Sequence, residues 1–183
     1  MLEGKNVNLR VVEREDLPLL VQWDNNPEFV GEHFFPTQRS RTDMEKALES
    51  ISPFESKRFI IEKKDGTKVG WITHFYMLHP MMKLLEIGFV LVPSERGKGY
   101  CTEATKIIVD YLFLTKDIVR IQAHVDPRNK ASQKVAEKAG FKKEGIIRRS
   151  FFTKGEWRDM LLYSILREEW KEPKILTKTI PQK

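Results

Sequence analysis

The sequence predicts an α+β fold, a mixed and mostly antiparallel central sheet of about seven strands flanked by about four helices. Three observations carry this. Period-2 apolar stretches outnumber helical stripes, and several follow one another across short turns. The two strongest helical stripes both lie in the second half, each following a strand, which makes a β-α-β-α unit. At 183 residues, with no repeat or internal linker, the chain fits one domain.

Asn6 to Val12 alternates as a strand with Val7, Leu9 and Val11 on one face. Asp16 is placed to cap a helix striped by Leu17, Leu20 and Val21, which Asn25-Asn26-Pro27 ends. His33 to Pro36 reads as a loop or broken helix, and Thr42-Asp43-Met44-Glu45 opens a second short helix. Arg58 to Glu62 and Val69 to Tyr76 are strands joined at Lys64-Asp65-Gly66, and Leu84 to Leu91 is the next. Ala104, Ile107, Ile108, Tyr111 and Leu112 then fall at helical spacing. Val119 to Val125 is a strand, and Ala131, Val135, Ala136 and Ala139 line a helix ended by Gly140. Strands around Glu144–Phe152 and Trp157–Leu166 turn near Lys154-Gly155. The domain is thus expected over residues 1–172, with 173–183 a polar C-terminal tail.

Composition excludes several classes. No apolar run approaches a membrane span, and Met1-Leu2-Glu3-Gly4-Lys5 is no signal peptide, so the expectation is a cytoplasmic protein without a membrane partner. A single cysteine, Cys101, rules out an internal disulfide framework. It also rules out a structural zinc site, and His33, His74, His79 and His124 share no ligand spacing, so no metal is expected. The net charge of +6 favours an anionic partner, which a phosphorylated cosubstrate satisfies as well as RNA does. Lys142-Lys143 and Arg148-Arg149 are the basic pairs nearest to an RNA signature, and they read equally well as a solvated strand face. Nucleic acid is therefore not expected as a direct partner.

The chemistry begins at "VPSERGKGYCTEA", Val92 to Ala104, where two glycines and two cations sit between a strand and a helix. Exposed N–H groups and the positive end of the helix make such a turn a pyrophosphate site, and glycine lets the backbone approach closely. A P-loop is excluded because Gly99, not Ser or Thr, follows Lys98. A dinucleotide fingerprint fails at its third small position, occupied by Thr102, and the unit follows three earlier strands, so Asp117 is a decoy for a ribose-binding acid. An Arg-x-x-Gly-x-small pattern remains: Arg96, Gly99 and Cys101. A plain helix entry with glycines for turning would use the same residues.

Three ordered stretches resemble the GNAT superfamily of N-acetyltransferases, in its ribosomal-protein (RimJ/RimL-like) branch. "EIGFVLVPSERGKGYCTEA", Glu86 to Ala104, is similar to its fourth strand, phosphate loop and third helix. "NKASQKVAEKAGFKKEG", Asn129 to Gly145, is similar to its second cofactor segment, and "GEWRDMLLYSILREEW", Gly155 to Trp170, to its closing strand. The resemblance implies a sheet splayed between its fourth and fifth strands. It also implies an acetyl-CoA-dependent enzyme in which a primary amine attacks the thioester directly. The acceptor would be a protein N-terminal α-amine, or alternatively a small amine such as a polyamine or amino sugar. A non-catalytic acyl-CoA-binding module and a monomer or homodimer are both compatible with it.

Residue roles follow from the same resemblance. Backbone amides across Arg96, Gly97, Lys98, Gly99, Tyr100, Cys101 and Thr102 would hold the pyrophosphate, with Arg96 and Lys98 adding charge. Amides of Phe89, Val90 and Leu91 would face the pantetheine and thioester carbonyl. Asn129 would reach the pantetheine, and it is equally a helix N-cap. Ser132 would protonate the departing thiolate, or merely complete that cap. Glu86 stands where several relatives carry the base, with Tyr163 and Asp159 as alternative polar groups. Some branch members place an acid near the position of Phe151, where this chain has none. His33, Phe34 and Phe35 are the candidates for the acceptor side, because loops between the early helices cover it in this family. Cys101 at a helix start could be a reactive thiol or simply fill the small-residue slot.

Overall fold

A computed structural model describes residues 1–34, 38–49, 56–79 and 82–176. Eight strands form one sheet in the order β1-β2-β3-β4-β5-β6-β8-β7. They are β1 (Leu2–Glu3), β2 (Val7–Val11), β3 (Lys57–Lys63), β4 (Lys68–His79), β5 (Met82–Leu91), β6 (Arg120–Val125), β7 (Lys142–Thr153) and β8 (Glu156–Leu166). The helices are α1 (Leu17–Asp24), α2 (Pro27–Val30), α3 (Arg41–Glu49), α4 (Tyr100–Thr115) and α5 (Lys130–Lys138). The expected α+β architecture is present, with a two-residue β1 and a one-turn α2 beyond the elements read from sequence. Every pairing is antiparallel except β5 with β6, which α4 joins as a crossover.

Side-chain alternation divides the sheet into two faces. Leu85 and Ile87 of β5, Ile121 and Ala123 of β6, and Leu161 and Tyr163 of β8 join the core under α4 and α5. Ile60, Trp71 and Val90 point the other way and pack with Leu17, Leu20, Trp23, Phe29 and Met44 of α1–α3. Trp23 stacks on Phe29 at 4.9 Å between ring centroids, while the Arg58 guanidinium lies 4.5 Å over the Trp71 ring. Those helices cover only the β3–β5 side of their face.

Asp16 is not the side-chain cap expected of it. Its carboxylate is 1% exposed and takes both terminal nitrogens of Arg10 (2.8 Å each), Lys68 Nζ (2.7 Å) and the Glu13 amide (2.9 Å). Burial alone would raise its pKa, but the bonds from Arg10 and Lys68 prevail and hold it well below the carboxylate range. By contrast, α3 opens on a true reciprocal cap, the Asp43 amide donating to Ser40 Oγ (3.1 Å) and the Ser40 amide to Asp43 Oδ2 (2.9 Å).

The first residues of the expected tail are docked instead. Asp110, 1% exposed on α4, accepts from Trp170 Nε1 (2.7 Å) and from the amides of Lys174 (2.9 Å), Ile175 (2.7 Å) and Leu176 (3.3 Å). Leu176 is thereby buried to 4% exposure. A carboxylate matches several donors that a polar composition does not advertise. Asp110→Asn leaves donors facing an amide nitrogen in a buried site, and the expected loss is about 2–3 kcal/mol of unfolding free energy. Urea titration measures it; a midpoint equal to wild type would mean the clasp contributes nothing.

Candidate active site

The pairing of β5 with β6 stops almost as soon as it starts. Its register holds only Leu85 with Ile121 and Glu86 with Gln122, although β5 runs on to Leu91 and β6 to Val125. Beyond Glu86 the two strands part, and among the described residues no strand pairs with the edge of β5 from Ile87 to Leu91 on that side. The bond from the Val92 amide to the Val69 carbonyl (2.9 Å) sets the phase of the β4–β5 ladder. Alternate residues of an antiparallel ladder bond to the partner, so Val90 turns its amide to β4, and Phe89 and Leu91 turn theirs to the gap. Val90, whose side chain is also in the core, is therefore the one of those three whose backbone does not face the gap.

At the open end of that gap stands the start of α4. Gly99 is its N-cap with φ +88°, and no side chain caps the helix. The first turn's amides, Tyr100 to Thr102, lack intrahelical acceptors, since the first bond runs from the Glu103 amide to the Gly99 carbonyl (3.1 Å). A Cβ on Gly97 or Gly99 would meet nothing within 4 Å. Protein packing therefore does not require these glycines; the left-handed backbone and the open space before it do. Lys98 is half-exposed beside Glu95, 3.0 Å from its carboxylate.

Arg96 has a structural role in the loop as well. Its guanidinium donates to the carbonyls of Leu91 (3.1 Å), Phe29 (2.8 Å) and Glu28 (3.2 Å), tying the loop to α2, and its amide donates to Pro93. It positions the loop, and since its acceptors are neutral carbonyls it keeps its positive charge beside the start of α4. Cys101 is 9% exposed, and burial pushes its thiol up to about 12, so its side chain is no nucleophile. Glu103 fastens α4 to β2, accepting from the Asn6 amide (2.7 Å) and side chain (2.6 Å).

Across the gap, Asn129 caps α5 by accepting the Ser132 amide at 3.0 Å. Both residues sit where the chain leaves β6, and both side chains are partly exposed. Asp126 just before them is 4% exposed and bound by Arg128 (3.0 Å) and Arg158 (3.3 Å). Burial would raise Asp126, but Arg128 overrides it and holds the carboxyl at about 2. His33 lies 3.6 Å from Asp126, and Phe34 meets Trp71 edge-on at 6.4 Å, so this loop does border the α1–α3 side of the gap. Phe35 lies outside the described residues.

Glu86 occupies the vertex, 9% exposed, on the face shared with α1–α3. His124 Nδ1 lies 2.8 Å from its Oε2, and Gln122 Nε2 donates to the same oxygen at 3.3 Å. Gln122 in turn accepts from Arg120, which grips Glu144 through two bonds of 2.6 and 2.9 Å. Arg120, with the Ser164 hydroxyl, holds the Glu144 carboxyl down at about 2. Gly88 lies two residues on, and a Cβ there would only touch Thr73 Cγ2 at 3.8 Å, which leaves room beside Glu86.

Tyr163 is corrected by the same alternation. It belongs to the α5 face, is 1% exposed, and donates its hydroxyl to Glu137 at 3.1 Å, so it is remote from the face of Glu86. Asp159 accepts the Arg149 amide at 2.8 Å and serves the β7 bulge. His124 is the residue that sequence reasoning passed over. Its residue type suggests only a metal ligand, whereas strand alternation puts it on the same face of β6 as Gln122.

Two cavities accompany these features. One of about 700 Å³ runs from Gly99 and Thr102 along α4, bordered by Lys5, Lys106, Lys138 and Lys174. Another of about 660 Å³ lies at the β7 bulge beside Ile146, Arg148 and Asp159, two strands away from β6.

Comparison with known proteins completes the picture. Residues 6–142 match the acetyltransferase (GNAT) domain family. The chain is 32% identical over 178 residues to the probable N-acetyltransferase YjcK of Bacillus subtilis, covering 92% of this chain and 98% of that protein. It is 26% identical to the spermidine N(1)-acetyltransferase of Escherichia coli, covering 93% of this chain and 91% of the other. The structure of Mycobacterium smegmatis RimJ in complex with CoA-disulfide aligns with a TM-score of 0.75 and 26% identity, over 93% of this chain and 91% of that one. The match in sequence extends through the parted strands and the glycine turn alike: the chain belongs to the GNAT acetyltransferase family and is an N-acetyltransferase.

Proposed function

We propose that the protein transfers acetyl from acetyl-CoA to the α-amine of a polypeptide N-terminus. The observation that carries this is the parting of β5 and β6 directly beyond Glu86, next to the uncapped start of α4. Acetyl-CoA, when bound, supplies an activated thioester carbonyl. The residues present fit it. The Gly97–Gly99 turn and the amides of Tyr100 to Thr102 offer donors to a pyrophosphate. The lysine-bordered cavity along α4 suits a phosphorylated adenosine. The gap-facing amides of Phe89 and Leu91 suit an extended amide-bearing arm and a carbonyl oxygen, and Asn129 faces them from the other side. Glu86 supplies negative charge at the point where an amine must lose a proton before attack.

Two considerations favour an N-terminal amine. Deprotonating an α-amine at pH 7 costs about 1–1.4 kcal/mol, against about 4.6 kcal/mol for a lysine side chain, and a polyamine is comparably basic. Among the described residues, three other carboxylates around the face of Glu86 are matched by arginine: Asp24 by Arg58 (3.0 Å), Asp126 by Arg128 and Arg158, Glu144 by Arg120. A second cationic centre on the acceptor would find those charges already neutralised. The likeness to the spermidine enzyme supports polyamine acetylation as the second reading.

Mass spectrometry of a mixture of N-terminal peptides, lysine peptides and spermidine distinguishes the two. We expect peptide N-termini, including those beginning with Ala or Ser, to be acetylated fastest. Predominant acetyl-spermidine would establish the second reading, and predominant ε-acetyl-lysine would overturn both.

A further inference from the structure

From the contact between Glu86 and His124 we infer that His124, not the carboxylate itself, takes the proton from the acceptor amine, with Glu86 as its orienting partner. The register makes the argument. Glu86–Gln122 is the last pair before the strands part, so His124 is the first β6 side chain beyond the vertex on this face. Gly88, the next β5 residue on this face, puts no side chain in the way. Glu86 is nearly buried, while His124 retains 20% of its side-chain surface. A carboxylate oxygen can only accept, so Nδ1 carries the hydrogen toward Glu86, and Nε2 presents its lone pair outward. Among the described residues Nε2 has no partner. This is the buried carboxylate–imidazole arrangement that fixes a tautomer and stabilises the imidazolium formed. Gln122 already satisfies the carboxylate as a donor, so a packing role for Glu86 would not need an imidazole as well.

The remaining charges near the pair are compensated among themselves. Arg120 holds Glu144 on one side; on the other, Asp126 and Glu156 balance Arg128 and Arg158, with His33 between Asp126 and the exposed Glu32. The step balances as follows. The ammonium acceptor gives one proton to His124 Nε2, which later releases it to solvent. The freed nitrogen lone pair forms the N–C bond, the C–S bond breaks with its electron pair on sulfur, and a second proton from the nitrogen ends on that sulfur.

The inference rests on the amine-acetylation reading, and its test separates the two. In long-range nitrogen–proton NMR spectra of histidine-labelled protein, with the signals assigned by H124N, His124 is expected as the Nδ1–H tautomer at pH 8. H124N is expected to lower kcat about 100- to 1000-fold at pH 7, with acetyl-CoA affinity unchanged and part of the rate recovered at pH 9. The E86Q/H124N double variant should be no slower than the slower single variant, as for residues acting as a unit. An Nε2–H tautomer, or H124N turning over within threefold of wild type, would overturn the role of His124 alone. A wild type that acetylates no amine would overturn the parent reading with it.

Discussion

Glu86→Gln lowers acetyl transfer at pH 7 by about 100- to 10,000-fold, the range a positioned acid–base group contributes. The substitution keeps shape and one hydrogen-bond acceptor at a site that is 9% exposed, so the fold survives it. What it removes is the charge that faces His124 and Gln122. Acetyl-CoA affinity should hardly change, because the groups assigned to that molecule, the backbone amides of β5 and α4, Asn129 and the lysines along α4, do not include this side chain. The loss should shrink as pH rises. An α-amine with a pKa near 7.7–8.0 is mostly neutral at about pH 9 and then needs no base. Thiol release at pH 7 and pH 9, with binding measured separately, checks the three statements together. Equal turnover by wild type and variant at both pH values would make Glu86 a bystander at the vertex.

The fold was largely legible because its long elements alternate cleanly, and what was missed was short or non-local. β1 has two residues and α2 four, too few to show a period. Asp16 had the position and residue type of a helix cap, and its actual partners, Arg10 and Lys68, lie 6 and 52 residues away. The docking of residues 174–176 depends on backbone amides meeting Asp110, and amides leave no mark in a sequence. At the site, the glycine turn announced itself because only particular residues tolerate φ above zero beside an open helix end. The misplacement of Tyr163 was avoidable. It shares strand parity with Leu161 and Ile165, both buried under α5 or α4, so alternation alone put it on the core face. The contact of His124 with Glu86 was not readable in this way, since it requires the β5–β6 register and not just the parity of each strand.

Gly99→Val is expected to abolish acetyl-CoA binding while leaving a folded protein. Gly99 has φ +88°, and a Cβ there would meet no neighbour within 4 Å, so the cost of valine lies in the backbone rather than in a clash of that atom. Its left-handed backbone adds strain of about 1–2 kcal/mol, lowering the melting temperature of the free protein by a few degrees. A branched side chain at the N-cap, however, fills the space through which a pyrophosphate must approach the amides of Tyr100, Cys101 and Thr102. In wild type, acetyl-CoA at a hundred times its dissociation constant stabilises by about 2.7 kcal/mol, or about 5–10 °C for a chain of this length. The variant should show no such shift at the same concentration, by scanning calorimetry. Arg96→Ala makes the instructive contrast: with its guanidinium on the carbonyls of Leu91, Glu28 and Phe29, it should loosen the loop and weaken binding without abolishing it. A Gly99→Val protein that still gains the full shift would remove the α4 turn from the cofactor site. A wild type unmoved by acetyl-CoA but stabilised by ATP or NAD would instead assign the turn to another nucleotide.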